Sequence, residues 1–311
     1  MLEYRFAQLA AFATFVLLLI GGTVNPTESS LACPEATIIC HGQLFPPMKG
    51  GVLYEHGHRL FAMTVGMLQI CLTVLLWRRR RELRWLGAFA LFLVIFQGVL
   101  GGVTVYFKLP TAVSVGHLMT AMCYFALLIY LAWRTRPTDT ASPGSNESVP
   151  RVVRTWIAIA SGAVFVQVFI GGIVRHTKGA LACADSIPFC HGAILPGGDT
   201  PIPLAANMIH RLMGFTVALI VIAASIVVLR HVKESKLLRR LAMAAPVLVA
   251  LQVVLGLWTI ISFRSTPVAV AHFGGAALLW GVWFSMFLLA YDGAEPVPER
   301  GASHDLSEVY A

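Results

Sequence analysis

Eight runs of apolar residues, each long enough to cross a bilayer as a helix, constrain this chain more than any motif in it. They lie near 6–24, 57–77, 85–106, 112–133, 155–174, 205–229, 241–262 and 267–291, and one crossing takes about 20 residues. Lipid offers no partner to an exposed backbone N–H or C=O, so runs of this length cross as helices, which satisfy those groups internally. Composition agrees: 57% of residues are hydrophobic, 12% are charged and the mean hydropathy is +0.76, where a soluble domain carries about 25% charged residues. The expected fold is an all-α integral membrane protein with eight transmembrane helices. The first run sits where a signal peptide would, but no small-residue cleavage pattern follows it, and it is counted as a span.

The net charge of +8 does not point to nucleic acid, because the basic residues gather at alternate helix ends. Arg78–Arg81 with Arg84 form one cluster. Arg134, Arg136, Arg151 and Arg154 form the next, and Arg230, Lys233, Lys236, Arg239 and Arg240 a third. By the positive-inside rule these ends and both termini are cytoplasmic, and the loops between helices 1–2 and 5–6 lie on the outer face.

The chain is also duplicated. One copy reads Gly21-Gly22, Cys33, Cys40-His41-Gly42, His58-Arg59-Leu60, Gln97 and His117. The other reads Gly171-Gly172, Cys183, Cys190-His191-Gly192, His210-Arg211-Leu212, Gln252 and His272. The offset is 150 residues at the glycines and cysteines, 152 at His-Arg-Leu and 155 at the glutamine and last histidine. So many matches in one order, with so little drift, mark an internal repeat. Four helices per copy is an even number, so both copies share one orientation. The expected architecture is two tandem four-helix bundles related by a pseudo-two-fold axis along the membrane normal. The halves are residues 1–134 and 155–291, joined by a polar cytoplasmic linker at 135–154 and followed by a polar tail at 292–311, expected to be disordered.

The duplicated histidines carry the chemistry. His58, His117, His210 and His272 all fall near the outer ends of even-numbered helices, at one depth. Imidazole is scarce in lipid and a good metal ligand. One imidazole per helix suits axial ligation of haem iron better than a zinc or copper site, which recruits several ligands close together. Glu55 is the main asymmetry, since the second copy has Asn207 in its place. A carboxylate three residues before His58 is placed to accept a proton or stabilise a developing cation. Cys33–Cys40 and Cys183–Cys190 read as one disulfide per outer loop, on the oxidising side of the membrane. A redox-active pair and a Cys-Cys-His metal site using His41 or His191 are the alternatives. Cys71 and Cys123 read as packing residues. Arg59 and Arg211 could pair with acidic groups facing outward or reach lipid phosphate. The repeated glycines read as helix contacts, and Arg175, His176 and Lys178 make the second loop the more basic. His56, His231 and His304 have no duplicated partner and no assigned role. No nucleotide-binding fingerprint is present, so an oxidation would pass electrons to a haem, a disulfide, a quinone or another protein.

With Glu55-His56-Gly57-His58-Arg59, His210-Arg211, His117, His272 and the loop cysteines in view, the chain resembles the heme A synthase family of inner-membrane enzymes up to about residue 291. The resemblance implies oxidation of the heme O ring methyl to a formyl group by successive hydroxylations, for cytochrome oxidase. It implies a haem b cofactor between His210 and His272, and a heme O substrate near His58, His117 and Arg59 with Glu55 catalytic. Arg211 would meet a propionate. It further implies a bacterial inner-membrane location, dealings with heme O synthase and cytochrome oxidase assembly, and the homo-oligomers seen among members, with the electron acceptor unknown. Two other functions fit the same residues: a di-haem carrier passing electrons between quinone and a periplasmic partner, and a thiol-oxidising membrane protein.

Overall fold

A computed structural model describes residues 1–137, 149–184, 190, 192–194 and 197–291. Eight long helices follow one another among them: α1 (Leu2–Val24), α2 (Gly51–Arg79), α3 (Arg84–Tyr106), α4 (Thr111–Thr135), α5 (Arg151–His176), α6 (Ile202–His231), α7 (Lys236–Ile261) and α8 (Thr266–Tyr291). Each contains a stretch long and apolar enough to cross a membrane. Most overrun the apolar run that announced them; α2 starts at Gly51 rather than near 57. Hydropathy locates the hydrocarbon, whereas backbone hydrogen bonding carries a helix on into the polar boundary. Pro110, Pro150 and Pro201 stand immediately before α4, α5 and α6, where a missing N–H costs nothing. Ser235 caps α7 by accepting the Leu238 N–H at 3.4 Å. The tail and residues 138–148 of the linker lie outside the described residues.

The same pairings recur in both halves. In the first, α1 packs on α2 and α4 while α3 packs on the same two helices; in the second, α5 packs on α6 and α8 while α7 packs on that pair. Across the halves α1 meets α8, α5 meets α4, and α4 meets α8. Thus the first helix of each copy touches the fourth helix of both. Ala7, Ala10 and Ala13 bring α1 close to the leucines Leu72, Leu76, Leu128 and Leu131 in the first core. The second core, around Ile157, Val221, Val249 and Trp283, runs on into Leu18 and Met122 of the first half. Trp280 fastens that seam by donating from Nε1 to the Met122 carbonyl at 3.2 Å. Large apolar side chains such as Phe12, Phe92, Leu219 and Val247 stay exposed on the outside, where lipid is their solvent. Cys71 and Cys123 are exposed as well, so they face outward from the bundle and do not pack inside it as expected.

Both loop disulfides form, Cys33–Cys40 and Cys183–Cys190. Each is followed by the same small backbone bridge, Cys40 to Gln43 and Cys190 to Ala193. The first loop folds down onto α3. A side chain at Gly102 would stand 2.7 Å from the Ala36 carbonyl oxygen, so only glycine lets the loop approach there.

Candidate functional site

Each half encloses a cavity, and the duplicated histidines line them in pairs. His58 and His117 face a cavity of about 950 Å³ in the first half. His210 and His272 face one of about 280 Å³ in the second. They sit six to eight residues into α2, α4, α6 and α8, roughly 9–12 Å from the helix start at 1.5 Å per residue.

A glycine on the preceding helix cradles each imidazole. A Cβ built on Gly21 would lie 2.8 Å from His58 Cε1, and one on Gly171 would lie 3.0 Å from His210 Cε1. Gly101 stands in the same relation to His117 at 3.5 Å, and Gly256 to His272 at 3.2 Å. All four rings are therefore pressed against bare helix backbone. Among the described residues, Nδ1 of His58 and His117 is buried without a hydrogen-bond partner, which leaves Nε2 as the nitrogen that faces the cavity. His210 differs: its Nδ1 lies 3.1 Å from Gln167 Nε2, which also donates to the His210 carbonyl at 3.0 Å. The residue 150 positions earlier is Leu17, so the duplication did not flag Gln167.

The rings of His210 and His272 have centroids 6.4 Å apart and stand nearly perpendicular, at 88°. Two imidazoles facing one metal atom, each nitrogen about 2 Å from it, have ring centres roughly 6 Å apart. The pair thus fits axial ligation of one iron, and the apolar walls supplied by Val164, Val168, Val253 and Leu257 suit a hydrophobic macrocycle.

Glu55 is buried on the wall of the first cavity. It shares a helix face with His58, as the spacing of three requires once α2 begins at Gly51. One carboxylate oxygen accepts the Cys33 N–H at 2.9 Å, and the other pairs with Arg59 one turn on. Arg59 is committed differently from what its position beside His58 suggested. Its Nη1 donates to the carbonyls of Glu35, Thr37 and Ile39, and its Nη2 to that of Cys33. It is the strut that holds the first loop over the cavity, whose wall it also joins. Arg211 does the matching job in the second half through Nη2 and the Cys183 carbonyl, at 2.6 Å. Asn207 faces the loop as a donor, giving hydrogen bonds to the Gly179 and Ala180 carbonyls at 2.6 and 3.2 Å. Both halves therefore use this position to hold the outer loop, but only the first places a carboxylate there.

His41 is exposed and bonds through Nε2 to the Ala32 carbonyl at 2.9 Å; His191 lies outside the described residues. The imidazole grouped with Cys33 and Cys40 is instead His56, whose ligand atom lies within 4.8 Å of theirs. Its Nε2 is 2.9 Å from the Leu44 carbonyl. Gln97 crosses from α3 to donate to the His117 carbonyl at 2.9 Å, which ties the fourth helix to the third.

Residues 48–284 match the family model COX15-CtaA, described as cytochrome oxidase assembly protein. The chain is 27% identical to a protein of Bacillus pumilus named heme A synthase, over 95% of this chain and 99% of that one. It is 30% identical to heme A synthase of Lysinibacillus sphaericus, over 91% of this chain and 94% of the relative. With heme A synthase of Symbiobacterium thermophilum the identity is 29%, over 89% and 92%.

Proposed function

The chain belongs to the COX15-CtaA family of cytochrome oxidase assembly proteins, and from that premise we propose that its first cavity is where heme O becomes heme A. It is a membrane oxidoreductase of the heme A synthase kind, oxidising the ring methyl of heme O to a formyl group by successive hydroxylations. The observation that supports this use of the two cavities is their inequality. Both are built on a glycine-cradled histidine pair, yet among the described residues only the larger has a carboxylate on its wall.

In this reading His58 and His117 hold the substrate iron, and their glycine cradles fix how far each ring reaches into the cavity. Glu55 takes a proton at the oxidised methyl carbon or orients the water that attacks it. Arg59 keeps that carboxylate in place and anchors the loop whose Ala36, Thr37 and Ile38 line the same cavity. In the second half His210 and His272 hold a b-type haem, which supplies one-electron redox chemistry when bound. Gln167 and Gly171 then set the His210 ring plane. The distribution of lysine and arginine supports cysteine loops that face outward and termini that face the cytoplasm.

The test is to purify the protein from a host that makes heme O and to separate its extracted pigments by chromatography. Heme A or a hydroxylated intermediate is expected beside haem b. Two unmodified b-type haems would instead identify an electron carrier. Glu55→Gln is expected to hold heme O without forming the formyl product, and full product formation by that variant would remove Glu55 from the chemistry.

A further inference from the structure

The two halves trade the ends of their first helices. Asn25 and Pro26, which follow α1, line the second cavity, while the residues 150 positions later, Arg175 and His176, line the first. The repeat with the carboxylate thus receives a guanidinium and an imidazole from the other repeat, and gives back an amide and a proline. Arg175 reaches both cavities, in the wall it shares with Asn25, Leu118 and Phe273.

The guanidinium is held but not neutralised. Its Nη2 donates to the carbonyls of Gly21 and Gly22 at 3.2 and 3.1 Å, beside the glycine that cradles His58. The face of Phe273 lies 5.1 Å away. Among the described residues, Nε and Nη1 make no hydrogen bond and no carboxylate pairs with the group. The neighbouring charges are already matched: Glu55 is paired with Arg59, and Glu28 lies 3.8 Å from Arg264. A cation enclosed between two apolar cavities favours an anionic partner, and a planar guanidinium favours a carboxylate. Arg59 and Arg211 are occupied by loop carbonyls, which leaves Arg175 as the cation for an acidic ligand in the first cavity.

We propose that Arg175, with His176 beside it, forms the carboxylate-binding pole of the first cavity, so that the second repeat positions the substrate for the first. This rests on the reading of that cavity as the heme O site: heme O carries propionate carboxylates, and its dimethyl ester does not. The experiment compares binding of heme O and of its dimethyl ester to detergent-purified protein, followed by the Soret band. The parent chain is expected to bind the free acid at least about tenfold more tightly, the worth of a charge-assisted hydrogen bond. Arg175→Met should bring the two ligands to within about twofold of each other by losing affinity for the acid alone. Arg175→Lys, which keeps the charge, should recover part of the preference, and His176→Gln should weaken it less than Arg175→Met. Size-exclusion profiles and the absorbance of the second-half haem show whether each variant is folded. A full preference for the acid in folded Arg175→Met would overturn the proposal. So would a preference left intact while only the second-half haem spectrum moves, since the guanidinium would then serve the other cavity. Binding of neither ligand by the parent chain would overturn the heme O reading itself, and is distinguished by the absence of any Soret change.

Discussion

At the scale of single residues, the glycines opposite the histidines are the least forgiving positions. An added methyl at Gly21 or Gly171 would meet the imidazole at 3.0 Å or less and push the ring toward the cavity it lines. Such overpacking costs about 1–3 kcal/mol, and here the cost falls on a ring that must aim at a metal. Gly171→Val is expected to lower the haem content of the second half, read as a smaller reduced-minus-oxidised absorbance per protein, while leaving heme O binding in place. Gly21→Val should do the reverse. Equal losses in both variants would mean that the glycines serve general helix packing. The sequence pattern marks Gly21 and Gly171 as helix contacts and does not single out Gly101 and Gly256. Repetition shows that a glycine recurs, but the side chain it accommodates belongs to a different helix and is invisible until the two are packed.

At the scale of elements, the first outer loop is the piece whose stability bears most on the site. It closes a short ring through Cys33–Cys40, hangs from Arg59 by four carbonyls and rests on Gly102. Closing a loop of this length removes chain entropy worth about 2–3 kcal/mol. Cys33→Ser with Cys40→Ser should therefore lower the unfolding temperature in detergent by several degrees, as read by intrinsic fluorescence; an unchanged temperature would show that Arg59 alone suffices. The loop has a pH limit too. Desolvation raises the Glu35 carboxyl, but backbone N–H groups, those of His41 and Gly42 among them, together outweigh it and hold the group below the usual carboxylate range. A depressed folded value means that the stabilisation is present above the unfolded value and is lost as pH falls through the folded one. Protection of the His41 and Gly42 amides against hydrogen exchange, corrected for intrinsic rates, should therefore persist through the ordinary glutamate range and collapse only at pH below it. Glu35→Gln should abolish that dependence. The cysteine spacing made the disulfide legible, whereas the strut did not show, because an arginine next to a histidine looks the same whether it holds a ligand or a loop.

At the scale of the whole molecule, the orientation in the bilayer is set by where the lysines and arginines fall. Lys49, at the end proposed to face outward, and Lys233, at the opposite end, are both exposed. With Cys71 and Cys123 replaced by serine, Lys49→Cys should react in intact cells with a membrane-impermeant maleimide, and Lys233→Cys only after lysis. The opposite pattern would invert the topology. The sequence by itself determined the eight spans, the duplication, the four histidines, the paired cysteines and the inequality of Glu55 and Asn207. These are local properties, because hydrocarbon penalises every unsatisfied backbone group and a repeat needs only an offset to be seen. The tertiary structure alone decided which residues come together: that Arg59 holds the loop carbonyls, that Gln167 reaches His210, and that Arg175 and His176 line the cavity of the half they do not belong to. In a membrane the inward and outward faces of a helix are both apolar, so the pattern along the chain does not say which face meets which neighbour. Packing settles that, and with it the chemistry each cavity can perform.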